Sequence, residues 1–141
     1  MNSLSINNEA RFHHVGFVVA SILKVATEFA QTLRATWNGE ITYDALQEVR
    51  VTFMYVGLPQ NPAIELVEPA GEGSHLQLFL EHQGGLHHVC YEVDSLESHL
   101  TYCRSHGCIV VKQPLPAVAF GGRRIAWVYT SQQLLLEYLE R

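Results

Sequence analysis

One short phrase occurs twice in this chain. Phe12 to Val19 reads FHHVGFVV, and Leu86 to Val93 reads LHHVCYEV. Each copy is followed, one residue later, by a serine and an aliphatic residue, Ser21-Ile22 and Ser95-Leu96, and then by an amphipathic helical pattern. In the first half Ile22, Val25, Phe29 and Leu33 recur at helical spacing, and in the second Leu96, Leu100 and Cys103 do. Ser21 and Ser95 are placed as helix N-caps. The ends of the halves match as well: Ala63 to Glu68 is AIELVE and Leu135 to Glu140 is LLEYLE, with Glu65 and Glu137 in register. Four features aligned in one order require a duplicated structural unit.

Between helix and final glutamate each half supplies strand-like material. In the first half this covers Glu40–Tyr43, Val49–Val56 and Ala63–Val67, with a turn over residues 57–62 before the last strand. In the second it covers Cys108–Lys112, Arg124–Tyr129 and Leu134–Leu139, with a Pro- and Gly-bearing loop over Gln113–Gly122. A short helix is expected at Ser74–His82, ended by Gly84-Gly85. The expected class is α+β: two βαβββ modules forming a curved, cleft-bearing mixed sheet. Residues 1–11 read as a flexible tail, 12–68 as the first module, 69–85 as a linker and 86–141 as the second module, all within one domain.

Bulk properties set limits on partners. The chain has 141 residues, 48% hydrophobic and 16% charged, which suits one folded domain. Its net charge of -5 offers no basic footprint for nucleic acid. No apolar run approaches the roughly 20 residues of a membrane span, and the polar N-terminus lacks the apolar core of a signal peptide. Cys90, Cys103 and Cys108 form no metal-binding pair and leave one over in any disulfide scheme, so reduced thiols in a cytoplasm are expected.

Strand alternation separates the paired histidines. His13, Val15, Phe17 and Val19 share an apolar face that should pack under the helix, while His14 points the other way. In the second copy His87 goes with Val89 and Tyr91, and His88 goes the other way. His13 and His87 are read as packing or supporting residues. Glu65 and Glu137 sit among aliphatic neighbours, where a carboxylate is costly unless it is paired or coordinates a metal. His14, Glu65, His88 and Glu137 together make a first shell for a divalent ion, which two carboxylates would neutralise. Co, Ni, Zn, Mn and Mg all suit such a mixed set.

These segments resemble the vicinal-oxygen-chelate superfamily (glyoxalase, bleomycin resistance, dioxygenase) from Phe12 to Glu140. Within it they are most similar to methylmalonyl-CoA epimerases, through HHVGFVV, QEVRVTFM at Gln47–Met54, IELVEP at Ile64–Pro69 and GLHHVCYEVDSL at Gly85–Leu96. The resemblance implies paired βαβββ modules, a metal held by His14, Glu65, His88 and Glu137, a homodimer, and a small substrate such as an acyl-CoA or other thioester. The chain departs from the pattern in three places. Val51 stands where some epimerases have a second catalytic carboxylate, Phe120-Gly121-Gly122 replaces Ala-His-Gly, and residues 129–133 replace a His-Pro-Lys turn.

The implied activity is removal of a proton next to a carbonyl, with the metal as Lewis acid. Glu137, with Glu65 next, is the expected proton carrier, and Arg123 and Arg124 are candidates to hold a substrate carboxylate or phosphate. Reprotonation on the opposite face makes an epimerase, and on the neighbouring carbon a glyoxalase I-type lactoylglutathione lyase. A non-enzymatic binding protein of the bleomycin-resistance type is the third reading. Extradiol dioxygenases and fosfomycin-type thiol transferases use two histidines and one carboxylate, so Glu65 argues against both.

Overall fold

A computed structural model describes residues 10–72, 74 and 76–141. The expected tail lies outside them up to residue 9, and Arg11 already belongs to the first strand. The first half runs β1 (Arg11–Val18), α1 (Ile22–Leu33), β2 (Thr36–Trp37), β3 (Thr42–Asp44), β4 (Val49–Tyr55) and β5 (Ala63–Pro69). A connecting helix α2 (Leu76–Glu81) leads to β6 (Gly85–Val93), α3 (Leu96–Ser105), β7 (Ile109–Pro116), a 3-10 turn (Val118–Phe120), β8 (Arg124–Tyr129) and β9 (Leu135–Glu140). Residue 75, inside the expected connecting helix, is outside the described residues.

The strands form one curved mixed sheet in the order β2-β4-β5-β1-β6-β9-β8-β7, with β3 also paired to β4. Within each half the first and last strands pair in parallel, β1 with β5 and β6 with β9. The halves join through antiparallel β1–β6, where Val15 faces Val89. Helices α1 and α3 cover one face. Ile22, Ala26 and Ala30 of α1 bury against Met54 and Leu66, and the small alanines bring the helix close to the sheet. Leu96, Leu100 and Cys103 of α3 bury against Ala126, Val128 and Tyr138. The other face is left to line a cleft.

Two expectations about strands are corrected. The second strand of the first half is split into β2 and β3, because Asn38 Oδ1 accepts the Glu40 N–H at 2.9 Å and Gly39 takes φ 82°. The expected loop at Gln113–Gly122 is strand as far as Pro116. Proline is tolerated there because β7 is the sheet edge, where an unused N–H is no loss.

The helix starts hold a second repeat. Ser95 caps α3 by accepting the Ser98 N–H at 3.2 Å, whereas Ser21 makes no side-chain cap. Instead Glu68 Oε1 accepts the Ile22 N–H at 2.7 Å, and Glu140 Oε2 accepts the Leu96 N–H at 3.0 Å. Carboxylates at helix N-termini satisfy orphan donors and oppose the dipole. Arg50 and Arg124 hold these two glutamates in turn. Each ExxE segment therefore sends one carboxylate to the cleft and the other, on the opposite strand face, to its own helix.

Candidate metal centre

Four adjacent strands, β5, β1, β6 and β9, carry one candidate donor each. Glu65 lies beside Gly16, and Gly16 faces His88, so one row across the sheet reads Glu65, Gly16, His88. The other row reads Glu137, Cys90, His14. Each row takes donors from both halves and has a small residue in the middle. The reason is steric: a Cβ added at Gly16 would sit 2.1 Å from His88 Cε1. All four donors come from one chain.

The donor atoms converge. His14 Nε2 is 3.2 Å from His88 Nε2, 3.3 Å from Glu65 Oε1 and 3.0 Å from Glu137 Oε1. His88 Nε2 is 3.2 Å from Glu65 Oε1 and 3.3 Å from Glu137 Oε1. Donors bound tetrahedrally at usual zinc distances lie about 3.3 Å apart, so the set fits a shared ion. All four side chains are buried, with 0–4% of each residue exposed. Among the described residues Glu137 Oε1 also has no hydrogen-bond partner, although His14 Nε2 lies 3.0 Å away. A buried carboxylate oxygen without a partner is an unmet demand that a cation would satisfy.

In the metal-free protein these groups charge one another. Burial opposes the charged form of His14, but the Glu65 charge, then Cys90 and Glu137, outweigh it and raise the imidazole well above 6.5. Burial likewise opposes charge on His88, and the adjoining Glu137 and Glu65 carboxylates raise it. Burial pushes Glu65 and Glu137 up, yet the two histidines win and hold both carboxyls below 4.5. The histidine contribution to stability is thus complete below pH 6.5 and lost as pH rises through the raised values. The glutamate contribution is complete above pH 4.5 and lost as pH falls through the lowered values.

The metal-free cluster therefore stabilises most between these limits, and a cation must displace the histidine protons. Cobalt affinity is expected to rise between pH 6 and pH 8, with proton release seen by calorimetry in buffers of different ionisation enthalpy. Affinity flat over that range would mean that the histidines do not bind the ion.

The strand phase assigned to His13 and His87 is corrected. The β1–β6 register skips His13, between the pairs Phe12–Tyr91 and His14–Cys90, and skips His87, between His88–Gly16 and Leu86–Phe17. Each is the extra residue of a β-bulge, which interrupts the alternation and turns its side chain toward its neighbour's side. His13 lies edge-on to Phe120, and His87 edge-on to Phe79. The arginines also stand away from the four donors. Arg123 Nη1 donates to Glu92 at 2.8 Å, and Arg124 is bound to Glu140 and Glu97 at the start of α3, on the helix-covered face.

The cleft over the donors is lined by Val49, Val51, Val67, Ile125, Trp127 and Phe120, and by Gln47 from the loop before β4. No lysine or arginine is among the described lining residues. Its roof is a clasp between the halves: buried Asp44 accepts the Gln47 N–H through Oδ1 at 3.0 Å and the Val118 N–H through Oδ2 at 2.9 Å. Phe120, on the clasped turn, stacks on the His14 ring at 5.7 Å. Sequence reasoning missed the places of Gly16, Asp44, Phe120 and Trp127 in the site, and no sequence signal marked the Asp44 clasp, whose partner amide at Val118 lies in the other half. Cys90 is also at the site, but burial, then the Glu137 charge, pushes its thiol up to about 12, which keeps it neutral and unreactive.

Known proteins share this arrangement of chain. The model of a family described as the glyoxalase/bleomycin resistance protein/dioxygenase superfamily matches residues 13–127. An ethylmalonyl-CoA/methylmalonyl-CoA epimerase of Cereibacter sphaeroides is 30% identical, over 84% of this chain and 87% of that protein. The human mitochondrial methylmalonyl-CoA epimerase is 32% identical over 67% of this chain, which spans 52% of that longer protein. A Mycobacterium tuberculosis methylmalonyl-CoA epimerase has the same fold, with TM-score 0.80 and 23% identity over 97% of this chain and 92% of that one.

Proposed function

Because the chain belongs to the glyoxalase/bleomycin resistance protein/dioxygenase superfamily, we propose that it is a metal-dependent epimerase that moves a proton next to the carbonyl of an acyl thioester. The observation that carries this reading is the buried Glu137 Oε1, which sits among two imidazoles and a second carboxylate and has no hydrogen-bond partner among the described residues. A divalent ion held by His14, Glu65, His88 and Glu137 would supply Lewis acidity that favours removal of such a proton.

The protein's own groups do the rest. Glu137, ionised at neutral pH, takes the proton from the substrate α-carbon. Val51, Ile125 and Trp127 keep water from competing for it. The proton that Glu137 took up is returned, relayed through Glu65, to the opposite face of the carbon. Return to the neighbouring carbon would instead give a glyoxalase-type isomerisation. The apolar walls, with no cationic side chain among their described residues, suit an acyl group with a small hydrocarbon branch. The C. sphaeroides relative is named for both ethylmalonyl-CoA and methylmalonyl-CoA, which makes those thioesters the first substrates to test.

The test is deuterium wash-in. Protein stripped of metal and placed in D2O is expected to leave the α-protons of both thioesters in place, and added cobalt or nickel to exchange them. Exchange that persists without metal would sink the mechanism. No metal uptake on titration, with neither exchange of the thioesters nor isomerisation of a hemithioacetal, would favour the binding-protein reading.

A further inference from the structure

The paired histidines repeat one geometry in both halves. His13 Nδ1 lies 2.9 Å from His14 Nδ1, and His87 Nδ1 lies 2.9 Å from His88 Nδ1. The rings in each pair are near perpendicular, at 78° and 90°. In both pairs the leading histidine is the extra residue of a β-bulge, and in both the following histidine turns its Nε2 into the cleft. Without the bulges, alternation would send the two rings of each pair to opposite sides of the sheet.

We propose that His13 and His87 are positioning residues, each accepting through Nδ1 the Nδ1–H of the next histidine and so presenting His14 Nε2 and His88 Nε2 as bare donors. A neutral imidazole has one protonated and one bare nitrogen, and the hydrogen bond at one decides the state of the other. The opposite polarity would leave each neutral ring with its proton on Nε2, the nitrogen turned toward the other donors, and so block it as a ligand. Metal-bound histidines generally donate their second ring N–H to a carboxylate, carbonyl or water. Here a second imidazole takes that role. Its own orientation is set by aromatic packing: His13 is held against Phe120, and His87 against Phe79 and Trp127.

The inference rests on the reading of the cleft as a metal site, and the test separates the two. Asparagine places Oδ1 where histidine has Nδ1 and keeps an acceptor there, whereas leucine removes it. Cobalt affinity, measured by competition with a chromophoric chelator, is expected to fall about 10–100-fold in His13→Leu and to stay near wild type in His13→Asn. The same pair of changes at His87 gives an independent comparison if either His13 variant fails to fold. Nitrogen-15 spectra of the metal-free protein at alkaline pH should show the Nδ1–H tautomer at His14 in wild type and its loss in His13→Leu. Wild-type protein that takes up no cobalt overturns the metal reading itself. Folded His13→Leu and His87→Leu that bind cobalt as tightly as wild type, or asparagine variants as weak as the leucine ones, overturn this inference alone.

Discussion

Replacing Glu137 by glutamine is expected to lower α-proton exchange by about 10²–10⁴-fold, the range typical for loss of a positioned general base. The exchange is read in D2O at saturating cobalt, so that weaker metal binding is not mistaken for lost chemistry. The side chain is almost fully buried, and Oε1 lies 3.0 Å and 3.3 Å from the two histidine Nε2 atoms. Glutamine keeps the shape but cannot accept the proton, so folding and thermal stability in the presence of metal should change much less than exchange. Made in parallel, Glu65→Gln should retain more of the proton-abstraction step if Glu137 is the first base. Exchange at the wild-type rate in Glu137→Gln would place the base elsewhere in the cleft.

The second large effect concerns a residue with no functional group. Gly16→Ala is expected to weaken cobalt binding by about 10²-fold, the order of loss that follows a displacement near 1 Å in a catalytic group. The new Cβ would lie 2.1 Å from His88 Cε1 and 2.5 Å from Nε2, so the ring has to move. That ring is edge-on to Trp127 at 4.7 Å and tied to His87, which leaves it little room to give way without losing its aim. Gly16 has no left-handed backbone torsion to satisfy, so the effect is steric and confined to the imidazole. A cobalt titration and a melting curve check this together. Affinity within a factor of two of wild type would show that His88 does not need its place over Gly16.

Much of this centre was legible in the sequence for a definite reason. The duplication put His14 with His88 and Glu65 with Glu137, and one polar position repeated in two apolar strands is hard to reconcile with surface decoration. Strand parity also held where the strands were regular. It failed at His13 and His87, because a bulge inserts one residue and reverses the phase, and no local composition marks that event. Arg124 stands away from the four donors for a simpler reason. It alternates with Ile125 and Trp127, which line the cleft, so parity along β8 already assigns it to the helix side with Ala126 and Val128. The Asp44 clasp lay beyond local reasoning, since its partner amide belongs to the other half. Edge position, which made Gln113–Pro116 strand rather than loop, likewise emerges only once the strand order is known.

The two crossed rows of donors have a consequence for how such a centre can change. A dimer of half-length chains would be bound by strict twofold symmetry, so every substitution would enter both rows at once. In a single chain the rows are free to differ, and here they do. One imidazole lies over a glycine and the other over a neutral thiol, and only His14 has Phe120 stacked upon it. A planar enolate offers two faces that differ only by reflection. On the proposed mechanism, a floor that differs beneath its two sides lets one carboxylate be tuned to take a proton and the other to pass it back, a division of labour that exact symmetry would forbid.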